Sequence, residues 1–303
     1  NTMTATGTGI DDGNGGNNYD ITFVQEHTGV ITRREITVTA DAGQTKVYGY
    51  PNPASYTWTL TAGTLAAGHH IEGAPTRDAG ETVNDYAINL GTLHVEDALN
   101  TDVTSNYDFT YISDDFSITQ RPITITADAG QTKIYGGNDP LPFTYTVGGD
   151  DLAAGDEFAG VLSRVSGEAV GDYPIQQGTL TIIQTIGGGN KAANYDITYQ
   201  SADFTITHRT LTVRADANQT KVYGHADPAA FTYSIVLGSL APGDYFFGAL
   251  ARVPGETIGN YPIQQGTLTV LDDNDAPAIG NYHFTYEPDD FLITKRPITI
   301  TVD

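Results

Sequence analysis

The chain has 303 residues and carries 37 acidic side chains against 14 basic ones, a formal net charge of −23. Such a surface repels the phosphates of nucleic acids and of anionic lipids, so we expect neither nucleic-acid binding nor direct membrane insertion. The absence of cysteine excludes disulfides, a thiolate nucleophile and thiolate zinc ligands. The hydrophobic content of 39% is sufficient for several small cores, so we do not expect a disordered chain.

A single sequence pattern occurs three times, at a spacing of about 87 residues. The motif Thr-Lys-(Val/Ile)-Tyr-Gly stands at 45–49, 132–136 and 220–224. The same spacing relates a Leu-Ala-x-Gly segment, an Arg followed four residues later by Glu, a Gly-Thr-Leu segment and an Asn-Tyr pair. We therefore predict the C-terminal part of a preceding repeat at 1–34, complete modules at 35–121, 122–209 and 210–296, and the start of a further repeat at 297–303.

Within the second module, apolar and polar residues alternate with the period of β-strands. In chain order, the pattern predicts strands at 123–127, 143–147, 173–175 and 179–183, and a closing hairpin made by 195–199 and 203–207. Turns rich in Gly, Asn and Asp separate these strands. The segment 152–164 is the candidate for one short helix, although Gly155 and Gly160 weaken it.

These features predict the fold class. We expect a mainly β protein, an elongated tandem array of β-modules of about 87 residues. Each module is predicted to be β-grasp-like with at most one short helix, and an immunoglobulin-like β-sandwich is the alternative. Arg121-Pro122 and Arg296-Pro297 lead from one module into the next without a Gly/Ser linker, which indicates stiff connections. The expected partners are the neighbouring repeats of the same chain, and the expected state is a monomer.

Five motifs follow one another in each module: Lys-x-Tyr-Gly-x-x-(Asp)-Pro, Leu-x-x-Gly-Asp, Arg-x-x-Gly-Glu, Asn-Tyr-x-(Ile/Phe)-Thr-(Phe/Tyr) and Phe-x-Ile-Thr. This combination resembles the MBG-type (YGX/YDG-like) tandem repeats of bacterial surface adhesins and filamentous-haemagglutinin-like exoproteins, which are related to modules of mucin-binding proteins. The resemblance covers essentially the whole chain. It implies a β-grasp-like fold, an extracellular location on the bacterial surface or in the medium, a stalk or extender role, and no catalytic residues.

The first module departs from this pattern at two positions. Its segment 50–53 lacks the Asp that Asp139 and Asp227 supply in the other modules, and His69 replaces the aspartates at 156 and 244. The acidic positions are therefore not indispensable to the module. No histidine occupies a shared repeat position or stands in a Ser-His-Asp pattern, so we expect no enzyme.

Two repeated groups of polar residues are candidate sites. The Arg-x-x-x-Glu spacing predicts a turn closed by an ion pair, with a ligand contact as the less favoured interpretation. A repeated Lys, Glu and Asn together provide the side chains of a self-formed Lys–Asn isopeptide bond. The candidate sets are Lys46, Glu81 and Asn106; Lys133, Glu168 and Asn194; and Lys221, Glu256 and Asn281. The alternative is a Lys that lies along a neighbouring Tyr, with the Asn holding a turn.

Acidic loops are the candidates for a metal site, because clustered carboxylate oxygens suit calcium. The candidate ligands are Asp97, Asp102, Asp272, Asp273 and Asp275. The second module has Gly and Asn in this loop and no acid, so solvated loops are the default expectation, and no other cofactor is expected.

The sequence thus favours a non-catalytic stalk region that spaces the binding tip of a secreted or surface-anchored bacterial adhesin. The alternative is a module that adheres directly, to glycans, to host matrix, or to sister adhesins in a biofilm. Saturable binding of the isolated chain would distinguish the second hypothesis from the first.

Overall fold

The computed structural model of the chain describes residues 17–20, 22 and 29–301. Two compact units are present. Within the described residues, unit 1 contains the chain up to Gln44, Pro53–Ala79 and Tyr86–Phe116. Unit 2 contains Thr45–Asn52, Gly80–Asp85 and the chain from Ser117 onward, and so includes the whole of the second and third modules.

Each module forms nine short strands among the described residues, and the protein is mainly β. The first module has β1 Arg34–Ala40, β2 Gln44–Val47, β3 Trp58–Gly63, β4 His70–Glu72, β5 Thr76–Arg77, β6 Asn84–Asn89, β7 His94–Glu96, β8 Tyr107–Ile112 and β9 Asp115–Thr119. The second has β10 Arg121–Ala127, β11 Thr132–Ile134, β12 Tyr145–Gly149, β13 Asp156–Ala159, β14 Ser163–Arg164, β15 Gly171–Gln176, β16 Thr181–Gln184, β17 Tyr195–Gln200 and β18 Asp203–Thr207. The third has β19 Arg209–Ala215, β20 Thr220–Val222, β21 Tyr233–Gly238, β22 Tyr245–Phe247, β23 Ala251–Arg252, β24 Gly259–Gln264, β25 Thr269–Leu271, β26 Tyr282–Glu287 and β27 Asp290–Thr294. One 3-10 turn per module precedes β8, β17 and β26, at Thr104–Asn106, Ala192–Asn194 and Ile279–Asn281.

The second and third modules share one topology. In the second, β10 lies between antiparallel β12 and parallel β17, while β18 lies between parallel β11 and antiparallel β15, with β14 outermost. A ribbon of β13 and β16 completes the module. The third module repeats this order as β21-β19-β26, β20-β27-β24-β23 and β22-β25. The parallel pairing of first and late strands fits the β-grasp-like expectation better than the antiparallel sheets of an immunoglobulin sandwich.

Unit 1 contains the corresponding sheet of the first module. Strand β1 lies between antiparallel β3 and parallel β8, and the pairs β4-β7 and β5-β6 are antiparallel. Its core is centred on Ile36, Val95 and Tyr107, which are each at most 5% exposed.

The first strand of each module illustrates why these segments form strands. In β10, Ile123, Ile125 and Ala127 are buried, and the threonines between them lie on the opposite, more solvated face. The β-branched residues suit a pleated surface with one buried side. The cores of the second and third modules are centred on Phe204 and Phe291 and meet at residues of the junction described below.

Two expectations about local structure are wrong. The candidate helix at 152–164 is replaced by the strands β13 and β14, because Gly155 and Gly160 adopt left-handed φ angles of 87° and 85°. Gly160 also lies against the carbonyl of Thr179, where a Cβ would approach to 2.1 Å. The closing hairpin is absent because β17 pairs with β10, whereas the following strand β18 pairs with β11 and β15. Among the described residues, no helix is long and apolar enough to cross a membrane.

Candidate functional site

The first candidate site lies where one module meets the next. In unit 2, the hydroxyl of Tyr48 in the first module donates to Asp156 Oδ2 of the second module at 3.0 Å. The same carboxylate oxygen accepts from Tyr195 at 2.8 Å, and Tyr195 in turn accepts the backbone N–H of Ala153 at 2.9 Å. The two tyrosine rings pack edge to face, with centroids 5.5 Å apart.

The second junction repeats this arrangement. Tyr135 of the second module donates to Asp244 Oδ1 of the third at 3.3 Å, and Tyr282 donates to Asp244 Oδ2 at 2.5 Å. The N–H of Ala241 donates to the Tyr282 hydroxyl at 2.8 Å. The rings of Tyr135 and Tyr282 again meet edge to face at 5.5 Å.

An asparagine adds a second hydrogen bond to each junction. The N–H of Val83 donates to Asn194 Oδ1 at 3.0 Å, and the N–H of Val170 donates to Asn281 Oδ1 at 2.9 Å. Both bonds run from one module to an asparagine in the following module. The repeated asparagines therefore join modules at these two positions.

A glycine allows the close approach of the modules. Gly49 and Gly136 follow the two junction tyrosines with φ angles of 79° and 72°. A Cβ at these positions would lie 2.6 Å from the methyl carbon of Ala153 and 2.4 Å from that of Ala241. Only glycine permits both the left-handed backbone and this contact.

The arginine at each of these two boundaries also contributes. Arg121 Nη1 donates to the carbonyl of Tyr48 at 3.3 Å, and Arg209 Nη1 donates to the carbonyl of Tyr135 at 3.2 Å. The guanidinium of Arg121 also lies 4.8 Å from the ring centroid of Tyr50. Each arginine begins the first strand of one module and thus ties it to the junction tyrosine of the module before it.

The junction tyrosines act as hydrogen-bond donors. Burial, followed by the hydrogen bond and charge of Asp156, raises the pKa of Tyr48. Burial also raises the pKa of Tyr195, against the opposing hydrogen bond from Ala153. Both hydroxyls therefore stay protonated at neutral pH and donate to the carboxylate between them.

The second candidate site is a cluster of four charges inside each of the later modules. In the second module, Lys133 Nζ lies 2.8 Å from Asp139 and also bonds Glu168. Arg164 bonds the same two carboxylates, at 2.8 Å to Asp139 and 2.6 Å to Glu168. Its guanidinium lies 5.1 Å from the ring centroid of Phe204.

The third module builds the same cluster. Lys221 lies 2.7 Å from Asp227 and 2.5 Å from Glu256, and Arg252 lies 2.8 Å and 2.6 Å from the same two residues. The predicted Arg-x-x-x-Glu ion pair is thus present in both modules. The aspartate that completes each cluster was not predicted as a partner, although its repetition at 139 and 227 was visible in the sequence.

The first module differs at this cluster. In unit 2, Lys46 pairs with Glu81. In unit 1, the guanidinium of Arg77 lies 5.1 Å from the ring centroid of Tyr86 and 5.4 Å from that of Phe116. Asn52 stands six residues after the lysine, where the later modules have aspartate. The first module therefore has one carboxylate fewer at this position.

The cluster keeps its lysines charged. Burial alone would lower the pKa of Lys133, but the hydrogen bonds from Asp139 and Glu168 raise it above its ordinary value. The hydrogen bond to Asp227, then that to Glu256, raises the pKa of Lys221. A protonated lysine is not a nucleophile.

The isopeptide candidates are divided between two places. Lys46, Lys133 and Lys221 each bond the glutamate of their set, which is Glu81, Glu168 and Glu256 respectively. Asn194 and Asn281 instead accept hydrogen bonds from the preceding module, and Asn106 is the last residue of the 3-10 turn in the first module. The structure thus brings Lys and Glu together and uses two of the asparagines at the junctions. The cross-link itself remains an untested hypothesis.

The calcium candidates all accept hydrogen bonds from other groups of the protein. Asp97 Oδ1 accepts the N–H groups of Leu99 and Thr101, and these two bonds lower the pKa of Asp97. Asp102 accepts from Thr104, Asp272 from Asn274 and Ala276, Asp273 from Asn274, and Asp275 from Tyr245. Within the described part of the chain, no three metal-ligating side chains gather around one point.

The sequence did not reveal which residues the junction tyrosines contact. Tyr135 and Asp244 are 109 residues apart, and each recurs at its own position in the repeat. The tyrosine recurs in three modules and the aspartate in two, and this recurrence was the signal that the sequence offered. It marked both residues as architectural without showing that they meet across a boundary.

Repeated β-modules whose two junctions use the same contacts define a tandem-repeat protein. The profile of the MBG domain (YGX type) matches residues 36–117, 123–205 and 211–292. The chain belongs to this family. A search of curated proteins found no match.

Proposed function

We propose that this chain is a non-catalytic stalk region of a bacterial adhesin, secreted or anchored at the cell surface, that holds a binding tip away from the cell. The observation that carries this proposal is the junction. Two successive joints use the same tyrosine, glycine, aspartate, alanine and asparagine positions. A spacer requires the same joint between successive modules, whereas an active site has no such requirement.

The short connections support a stiff array. Only Gln120 separates β9 from β10, and only His208 separates β18 from β19. A linker of one residue leaves little conformational freedom, and the buried tyrosine pair restricts the joint further. The junctions therefore resist bending in a way that Gly/Ser linkers do not.

The charge distribution supports a stalk that does not associate with neighbouring copies. With a formal net charge of −23, parallel copies on one surface repel each other. Four of the 14 basic residues are paired inside the clusters around Lys133 and Lys221. This arrangement keeps neighbouring stalks soluble and apart.

Nuclear magnetic resonance relaxation of the 303-residue chain tests this proposal. We expect the second and third modules to tumble together, and the chain to show no saturable binding on glycan arrays or host cells. Tyr135→Ala should loosen the joint, whereas Tyr223→Ala, at a tyrosine 50% exposed, should leave that joint unchanged. Independent tumbling of the unmodified modules would contradict a stalk.

Direct adhesion is the second candidate, and one feature of the third module favours it. On β22, Tyr245 and Phe247 are 37% and 58% exposed, where the second module has Glu157 and Ala159. Exposed aromatic rings can stack on sugars. If this function holds, the chain binds glycans saturably, Phe247→Ala abolishes binding, and Leu99→Ala, at an exposed residue of the first module, does not.

A further inference from the structure

The two Asp–Pro peptide bonds of the sequence both lie in the charge clusters. They follow Asp139 and Asp227, whereas the first module has Asn52 before its proline at the same repeat position. An Asp–Pro bond carries its own nucleophile, because the side-chain carboxyl group can reach the carbonyl carbon of the same residue. The leaving group is favourable as well, since the proline nitrogen belongs to a tertiary amide. Each cluster therefore contains a bond that the chain can break by itself.

A hydrogen bond polarises the carbonyl group of Asp139. Its oxygen accepts the N–H of Leu141 at 3.0 Å, across the intervening proline. Attack on a carbonyl carbon moves negative charge onto the oxygen, and an N–H that is already directed at this oxygen stabilises the charge. The loop between β11 and β12 thus holds a nucleophile, a leaving nitrogen and an oxyanion donor in three consecutive residues, 139–141.

Lys133 and Arg164 hold this nucleophile in the folded module. Asp139 Oδ2 accepts from Arg164 Nε at 2.8 Å, and Oδ1 accepts from Arg164 Nη2 at 3.1 Å and from Lys133 Nζ at 2.8 Å. Both cationic side chains are buried, so water competes little for these bonds. A carboxylate that is bound at both oxygens cannot turn toward its own carbonyl carbon unless the bonds break. Lys221 and Arg252 hold Asp227 in the same way.

The same contacts withhold a proton that the reaction needs. The hydrogen bond from Arg164, and then that from Lys133, lowers the pKa of Asp139, although burial opposes them. Glu168, which bonds both cations, is the remaining charged group of the cluster. The neutral carboxyl group of Asp139 is therefore scarce until the pH falls below 3.8, the ordinary pKa of an aspartate.

We propose that the bond between Asp139 and Pro140 is a latent self-cleavage site, which Lys133 and Arg164 keep closed and which acid opens. In the neutral form, a carboxyl oxygen of Asp139 bonds to the carbonyl carbon of the same residue, and the C–N bond to Pro140 breaks. The carboxyl proton goes to the proline nitrogen, which leaves as an amine. Water then opens the cyclic anhydride and leaves two carboxyl groups on residue 139. The reaction consumes one water molecule and no other reactant, and it does not depend on whether the array spaces a tip or binds a ligand.

A break at this bond does not by itself separate the two pieces. Strands β10 and β11 stay on the first piece and pair with β17 and β18 of the second. The module is then held together by hydrogen bonds and packing alone. Acid therefore marks a defined place at which tension can part the chain.

Intact mass in denaturant, after incubation at about pH 3.5, tests this proposal. We expect the chain to yield the pieces 1–139 and 140–303, and Asp139→Asn, which copies the first module, to abolish them. Arg164→Lys keeps the charge but loses the two-point contact, and should speed the break at 139–140 by about tenfold, the effect of one pKa unit. The bond at 227–228 is the internal reference, because its own lysine and arginine are unchanged, and its rate should stay the same.

Glu168→Gln distinguishes release of the nucleophile from a general loss of stability. Without Glu168, both cations are left to Asp139, so the break at 139–140 should slow by roughly threefold, the effect of half a pKa unit. Circular dichroism at the same pH shows whether each variant is folded. If Arg164→Lys does not fold, Glu168→Gln decides alone.

Three results would overturn the proposal. The first is an unmodified chain that does not break at 139–140. The second is a folded Arg164→Lys variant that breaks no faster than the unmodified chain. The third is a Glu168→Gln variant that breaks as fast as the unmodified chain or faster, because a module that is only destabilised would behave in this way.

Discussion

The hydroxyl of Tyr135 in the second module donates to Asp244 Oδ1 of the third at 3.3 Å, although the two residues are 109 positions apart in the sequence. The carboxylate of Asp244 also accepts from Tyr282 of its own module, so it joins one hydroxyl from each side of the boundary. A half-buried carboxylate that accepts two hydrogen bonds specifies how two modules meet, because a rotated partner would leave a donor or the carboxylate unpaired. The joint is therefore defined by polar contacts as well as by packing.

Removing one hydroxyl should weaken this joint. Tyr135→Phe deletes the bond to Asp244 but keeps the ring that packs on Tyr282. We expect a loss of about 1 kcal/mol in the free energy of unfolding, the usual net contribution of one hydrogen bond, measured by urea denaturation. Tyr223→Phe, at the exposed equivalent, should be neutral within experimental error, and equal losses in the two variants would show that the junction contact contributes nothing.

Gly136 and Gly224 offer a matched pair for the steric contact. Both have left-handed φ angles, 72° and 83°, so alanine at either position costs about 1–2 kcal/mol in backbone strain. Only at Gly136 does the new Cβ meet a methyl group, at 2.4 Å from Ala241. Gly136→Ala should therefore be less stable than Gly224→Ala by about 1–3 kcal/mol, the cost of overpacking. Thermal unfolding of both variants measures the difference, and the same loss in both would contradict the close contact.

The charge cluster should make the second module acid-sensitive. The hydrogen bond from Arg164, and then that from Lys133, lowers the pKa of Asp139 below its ordinary value of 3.8, although burial opposes them. A lowered pKa in the folded state means that the stabilisation is fully present above about pH 4 and is lost as the pH falls through the lowered pKa. Asp139→Asn, which copies the residue of the first module, should reduce stability at neutral pH and flatten the acid dependence. Urea midpoints between about pH 2 and 7 test this.

Intact mass tests the predicted cross-link. Because the hydrogen bonds at Lys133 and Lys221 favour the charged amine, and because Asn194 and Asn281 bond the preceding modules, we expect the unmodified mass. Each isopeptide bond would remove the mass of one ammonia. A loss of this size that disappears in Lys133→Arg would establish the bond in the second module and would overturn this expectation.

The sequence predicted the features that depend on residues close together in the chain. The alternation in 123–127 predicted β10, because one face of that strand is buried along its whole length. The four-residue spacing predicted the contact of Arg164 with Glu168, since both residues lie at one turn. In each case the cause of the structure lies within a few residues.

Features that depend on distant partners were missed. The alternation in 195–199 and 203–207 indicates strands but not their neighbours, so the predicted hairpin was wrong. The repeated asparagine was grouped with the lysine of its own module, yet Asn194 bonds Val83 of the module before it. A residue that recurs in every module can contact either its own module or the neighbouring one, and the repeat is consistent with both. Only the fold distinguishes these two possibilities.

The parallel pairing of β10 with β17 determines how a module bears tension. Force that pulls Arg121 and Gln200 apart loads this ladder in shear, because β10 is drawn from its start while β17 is drawn from its end. Six residue pairs, from Arg121 opposite Tyr195 to Thr126 opposite Gln200, then share the load and rupture together instead of opening one by one. In the stalk proposed above, a module loaded in this way would stay folded at forces that peel antiparallel hairpins apart.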